Sequence, residues 1–129
     1  MERLAPYVAA LARVRCRMRE PLLIEGELHP DANAAVLERC DGRVRACCVG
    51  NLDVGVEAKA AQLQAHNELD PQDWLSDRPD AYFREIAALI LELSAEYREA
   101  ATRLGLPFFD LQPDFGAGVE AVLGYLQSL

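Results

Sequence analysis

The sequence predicts an α/β fold in which a small parallel sheet of about three strands lies between helices as a three-layer sandwich. Three observations carry that prediction. Short, continuously apolar runs read as buried strands, the segments between them place apolar residues every three or four positions, and the two kinds alternate as α-β-α-β-α-α-β-α. Strands that alternate with helices pair in parallel through right-handed crossovers and are covered on both faces. At 129 residues the chain is one domain, 1–129, long enough to bury roughly two thirds of its unfolded surface without staples.

The first helix is expected over 2–19, from Leu4, Tyr7, Val8, Leu11, Val14 and Met18, and Pro21 stops it. The run 22–26 (LLIEG) reads as a buried strand ending in a carboxylate and a turn glycine. Asp31 is expected to cap a helix reaching about residue 40, and Asp41-Gly42 signals a turn. The run 44–50 (VRACCVG) is the second strand. Asn51 and Asp53 open a helix of 54–66, and Asp70-Pro71-Gln72-Asp73 starts a short helix through 75 with Trp74 as its buried anchor.

From Pro79 onward the pattern is strongest. Phe83, Ile86, Ile90, Leu93, Tyr97, Ala101 and Leu104 recur at helical spacing, and Gly105 stands where a left-handed terminator belongs. The run 107–111 (PFFDL) is the third strand, with Phe108 and Phe109 as core on its two faces. Asp114 caps a final helix whose apolar face is Val119, Val122, Leu123 and Leu126.

A net charge of −8 argues against a general nucleic-acid binder, which needs a positive stripe to displace counterions. The charge is unevenly spread: Arg3, Arg13, Arg15, Arg17 and Arg19 crowd the first helix, while 57–80 is mainly acidic. Cys47 and Cys48, adjacent on a strand, point to opposite faces, which suits neither a disulfide nor a shared metal. With no C-x-x-C pair and with His29 and His66 far apart, the expectation is reduced, mostly buried thiols and no metal site. Neither a signal peptide nor a membrane-spanning run is legible, so the expected location is cytoplasmic, without a membrane partner.

The runs PLLIEGELHP and VRACCVGN, then SAEYREAATRLGLPFFDL, resemble the carboxyl-terminal half of P-loop small-molecule kinases. The resemblance covers about 20–129. It implies an amino-terminal helix at 1–20, a kinase-like core at 21–129 and a lid-like segment at 54–79. It also implies Mg-ATP as the candidate cofactor. Glu25 would help hold Mg²⁺ or a substrate hydroxyl, only Lys59, His66 and Arg78 would be available as lid cations, and Asp110 with Gln112 would meet the adenine ring. From the residues themselves, Asn51 is a hydrogen-bonding ligand candidate and His29 a candidate acid or base near neutral pH.

One departure governs the functional reading. The family's G-x-x-x-x-G-K-[ST] phosphate loop is absent, and Lys59 is the sole lysine, with no glycine cluster before it. Without that cradle, phosphoryl transfer loses its main positioning element. The expectation is therefore a truncated or degenerate kinase-like domain, non-catalytic and acting through self-association or a partner. The family's strand order would leave a vacant slot between 22–26 and 44–50, which a homodimer or partner fills unless those strands pair directly. A second contact surface is the first helix, with Leu4, Val8, Leu11 and Met18 as the seam. The alternatives are a small enzyme using Glu25, Glu27 and His29, and a nucleotide- or small-molecule-binding module.

Overall fold

A computed structural model of the chain describes residues 4–40, 42–70 and 72–128. The elements run α1 Ala5–Met18, α2 Pro30–Leu37, β1 Cys48–Gly50, α3 Val56–Leu69, α4 Asp80–Leu104, β2 Phe108–Asp110 and α5 Phe115–Gln127. The arrangement is mixed helix and strand around a parallel sheet, as an α/β reading requires. The expected contributions of Arg3, Asp41 and Pro71 lie outside the described residues. Among the described residues no helix is long and apolar enough to cross a membrane.

The sheet has two strands, not three. β1 pairs in parallel with β2, Cys48 opposite Phe108 and Gly50 opposite Asp110. Flanking backbone bonds extend the ladder, from Cys48 N–H to Pro107 O at 2.9 Å and from Leu111 N–H to Gly50 O at 2.8 Å. Successive side chains leave on opposite faces. Gly50 turns toward α4, where an added Cβ would meet Phe108 at 2.6 Å and Ser94 at 2.9 Å. Phe109 turns the other way, its ring 5.7 Å from that of Tyr125 on α5.

The connection between the strands runs through α3 and α4, which pack on each other around Ala60, Leu75, Phe83 and Ala87. α4 follows its sequence pattern closely. Its buried stripe includes Phe83, Ala87, Ser94 and Ala101, and it ends on Gly105 at φ 67. Asp114 caps α5 as expected, accepting from Ala117 N–H at 3.0 Å. Arg45 fastens the far end of α5, donating to Ser128 O at 2.7 Å with its guanidinium 5.1 Å from the centre of the Tyr125 ring.

A second core lies between α1 and α2: Ala9, Ala12, Val36 and Cys40, with Val8, Cys16 and Val44 against it. The chain between these helices corrects the sequence reading most. Residues 22–26 form no strand, and Leu22, Leu23 and Ile24 are exposed, Leu23 to 72%. A strand requires a neighbour to take its backbone hydrogen bonds, and an apolar run does not guarantee one. The second strand also shrinks, from 44–50 to Cys48–Gly50.

The expected helix at 70–75 is replaced by turns. Asp73 and Ser76 N–H donate three residues back, and the Asp70 and Asp73 carboxylates accept from Gln72 and Leu75 N–H. Such local carboxylate bonds compete with helix formation. Trp74 is 64% exposed and does not anchor the segment; its neighbour Leu75 is the buried residue.

Candidate functional site

The carboxyl ends of β1 and β2 gather the densest polar network in the molecule. Asp110 ends β2, and its carboxylate accepts from three backbone N–H groups: Leu52 and Gln112 on Oδ1 and Asp53 on Oδ2, each at 3.0 Å. These bonds staple the loop after β1 to the loop after β2. Asn51 sits beside them, its N–H donating to Ser94 Oγ at 3.0 Å, while that hydroxyl donates to Ile90 O at 2.6 Å.

The Asn51 side chain is the hub of the outer layer. Its Oδ1 accepts from Lys59 Nζ at 3.0 Å and from Gln112 Nε2 at 3.1 Å. Gln62, one turn along α3 from Lys59, accepts weakly from Lys59 at 3.5 Å, and its Nε2 donates to Gln112 Oε1 at 3.2 Å. Helical spacing places Lys59 and Gln62 on one face. The parallel pairing of β1 with β2 brings Asn51 and Gln112 together.

Electrostatically the network is unusual because its cation has no counterion. Burial pushes the Lys59 ammonium below its ordinary pKa, and among the described residues no carboxylate lies within ion-pair distance of it. An ammonium offers three donors, and Asn51 and Gln62 take two. The site therefore leaves one half-buried ammonium donor, the third of Lys59, framed by neutral amides, because Gln112 Nε2 already donates to Asn51 Oδ1 at 3.1 Å and to Gln62 Oε1 at 3.3 Å. Such a donor suits a carbonyl or anionic oxygen. The Asp110 carboxylate stays occupied with backbone amides.

The remaining sequence-predicted residues lie elsewhere. Glu25 is on the exposed segment after α1 and does not stand at a strand end. His29 begins α2, taking the capping position the sequence suggested for Asp31. Its Nδ1 lies 2.8 Å from Asp31 Oδ2 and 3.4 Å from Asp31 N. One nitrogen cannot both donate to the carboxylate and accept from the amide, and the shorter contact favours donation. Nε2 is 3.7 Å from Glu96, and the ring packs edge-on against Tyr97. Arg78 lies over the Tyr82 ring at 5.1 Å, by the start of α4, and takes no part in the hydrogen bonds around Asn51.

Of the predicted site residues the structure thus unites Asn51, Lys59 and Asp110 and leaves Glu25, His29 and Arg78 apart from them. Sequence reasoning missed Gln62 and Ser94. Gln62 was within reach, one helical turn from the sole lysine; Ser94 lies inside an apolar helix face and carries no signal until β1 packs on it. No protein-family model, curated protein or solved structure matches this chain.

Proposed function

We propose that the chain is a non-catalytic association domain: a kinase-like half domain, layered as an α/β sandwich but lacking the phosphate loop, that self-associates to cover what it leaves open. The observation that carries this reading is the uncovered apolar surface of its amino-terminal side. Leu22, Leu23 and Ile24 are exposed and belong to no element. β1 has a single strand neighbour, β2, among the described residues. Burying one large aliphatic side chain contributes about 1.5–3 kcal/mol. The residues first suggested for chemistry support the same reading: His29 stands just before a helix and is engaged with Asp31, and Asp110 holds two loops together.

The test is the particle mass in solution by light scattering on a sizing column. Self-association predicts at least twice the 14.3 kDa of one chain, with loss of the larger species in Leu23→Asp. A 14.3 kDa particle at every concentration would overturn the reading.

The uncompensated Lys59 ammonium favours a second reading, a small-molecule site at the strand ends. Calorimetric titration with MgATP tests it. Saturable heat that disappears in Lys59→Gln supports the site, and no heat at millimolar nucleotide retires it.

A further inference from the structure

α1 carries its large apolar residues on the wrong side for its own fold. The face that packs on α2 is built from Val8, Ala9, Ala12 and Cys16. The opposite face presents Leu4, Tyr7, Leu11, Val14 and Met18, each between 44% and 74% exposed. Their spacings alternate three, four, three, four. That is the 3.5-residue period of a seam between two helices, and a helix lying on a globular core carries a broader stripe. The structure also corrects the seam suggested by sequence alone: Val8 belongs to the inner face, while Tyr7 and Val14 belong to the outer one.

Charge selects the occupant of this seam. Arg15 and Arg17 flank it, and no acidic residue occurs from Leu4 to Arg19. A second α1 laid along it would bring arginines to arginines. The outer face of α4 has the complementary character. Glu85, Leu89, Glu92 and Glu96 follow one another at spacings of four, three and four, with Leu93 beside them, all exposed. Among the described residues Glu85 and Glu92 enter no ion pair within the chain. α4 has 25 residues and α1 has 14, so α4 is long enough to seat the whole seam.

Resting on the self-association proposed above, we infer that the outer face of α1 docks on the outer face of α4 in a second copy of this chain. In a twofold dimer the contact occurs twice, each copy giving its basic helix and receiving the other's on its acidic one. Leu89 and Leu93 meet the apolar seam of α1, and Glu85, Glu92 and Glu96, in the row beside them, pair with the arginines.

A charge exchange tests the pairing. Two variants, R15E/R17E and E85R/E92R, are prepared as full chains and shown by circular dichroism to keep their helices. Association is then measured for each alone and for the mixture by sedimentation equilibrium. Each variant alone should associate about tenfold or more weakly than the unmodified chain, and the mixture should recover. Recovery should fade with added salt. If R15E/R17E alone associates as tightly as the unmodified chain, or the mixture fails to recover, the α1–α4 pairing is wrong while self-association stands. If the unmodified chain is itself monomeric, self-association falls and the pairing falls with it.

Discussion

The two sides of this molecule are built differently. From β1 to β2 the chain closes on itself: two strands pair, α3 and α4 bury Phe83 and Leu75 between them, and Asp110 ties the loops with three charge-assisted hydrogen bonds. The α1–α2 side is held by alanines, valines and cysteines, while Leu4, Leu11, Leu23, Tyr7 and Met18 face outward. Small residues inside and large ones outside reverse the usual economy of a core. The carboxyl-terminal side reads as self-sufficient, and the amino-terminal side as a surface awaiting a neighbour.

The largest effect should come from breaking the self-sufficient side. Phe83→Ala removes the one large aromatic of its buried cluster and should cost about 3–5 kcal/mol, read as a lower urea midpoint. Asp110→Ala leaves three loop amides without their carboxylate and should cost about 2–3 kcal/mol in the same measurement. Gly50→Ala forces a methyl group against Phe108 and Ser94 and should cost about 1–3 kcal/mol through overpacking. Loss of stability below about 0.5 kcal/mol in any of these would remove the contrast between the two sides.

On the other side the expectation reverses. Leu11→Asp, on the outward face of α1, should leave the unfolding of the dilute monomer within about 0.5 kcal/mol of the unmodified chain. The same variant should abolish the larger species on a sizing column. Destabilisation of the monomer by several kcal/mol would mean that Leu11 serves the chain's own core.

The smallest effect is an alkaline pH dependence of stability. Burial raises the Cys47 and Cys48 thiols above 9.0, the neighbouring Cys48 adding to the rise at Cys47. In the unfolded chain they ionise first, so the stability they contribute is complete below pH 9.0 and declines as pH rises past it. Lys59 acts in the opposite sense. Its folded pKa lies below 10.5, so the unfolded chain holds that proton more tightly and stability recovers as pH rises toward 10.5. Lys59→Gln removes the opposing contribution, and its alkaline loss of stability between pH 9 and 10.5 should be steeper than that of the unmodified chain.

Legibility followed the same division. α4 was readable from Pro79 to Gly105 because its periodic stripe, its start and its stop agree, and β2 and α5 followed from the run PFFDL and the Asp114 cap. The run at 22–26 misled because apolar composition records a wish to be buried and says nothing of what does the burying. Lys59 and Asp110 could be chosen by type and position. Their partners depend on a strand register that joins distant parts of the chain, as Asn51 to Gln112 and Leu52 to Asp110 illustrate. Trp74 and Leu75 exchange their expected roles because Asx turns, and not a helix, set which neighbour faces inward.

On the self-association proposed above, another copy completes the amino-terminal side and the carboxyl-terminal side needs none. Amide hydrogen exchange across a hundredfold range of protein concentration tests it directly. The prediction is that amides of α1 and α2 become better protected as concentration rises, while those of β1, α3 and the buried face of α4 keep the same protection. Uniform protection that does not change with concentration would contradict it.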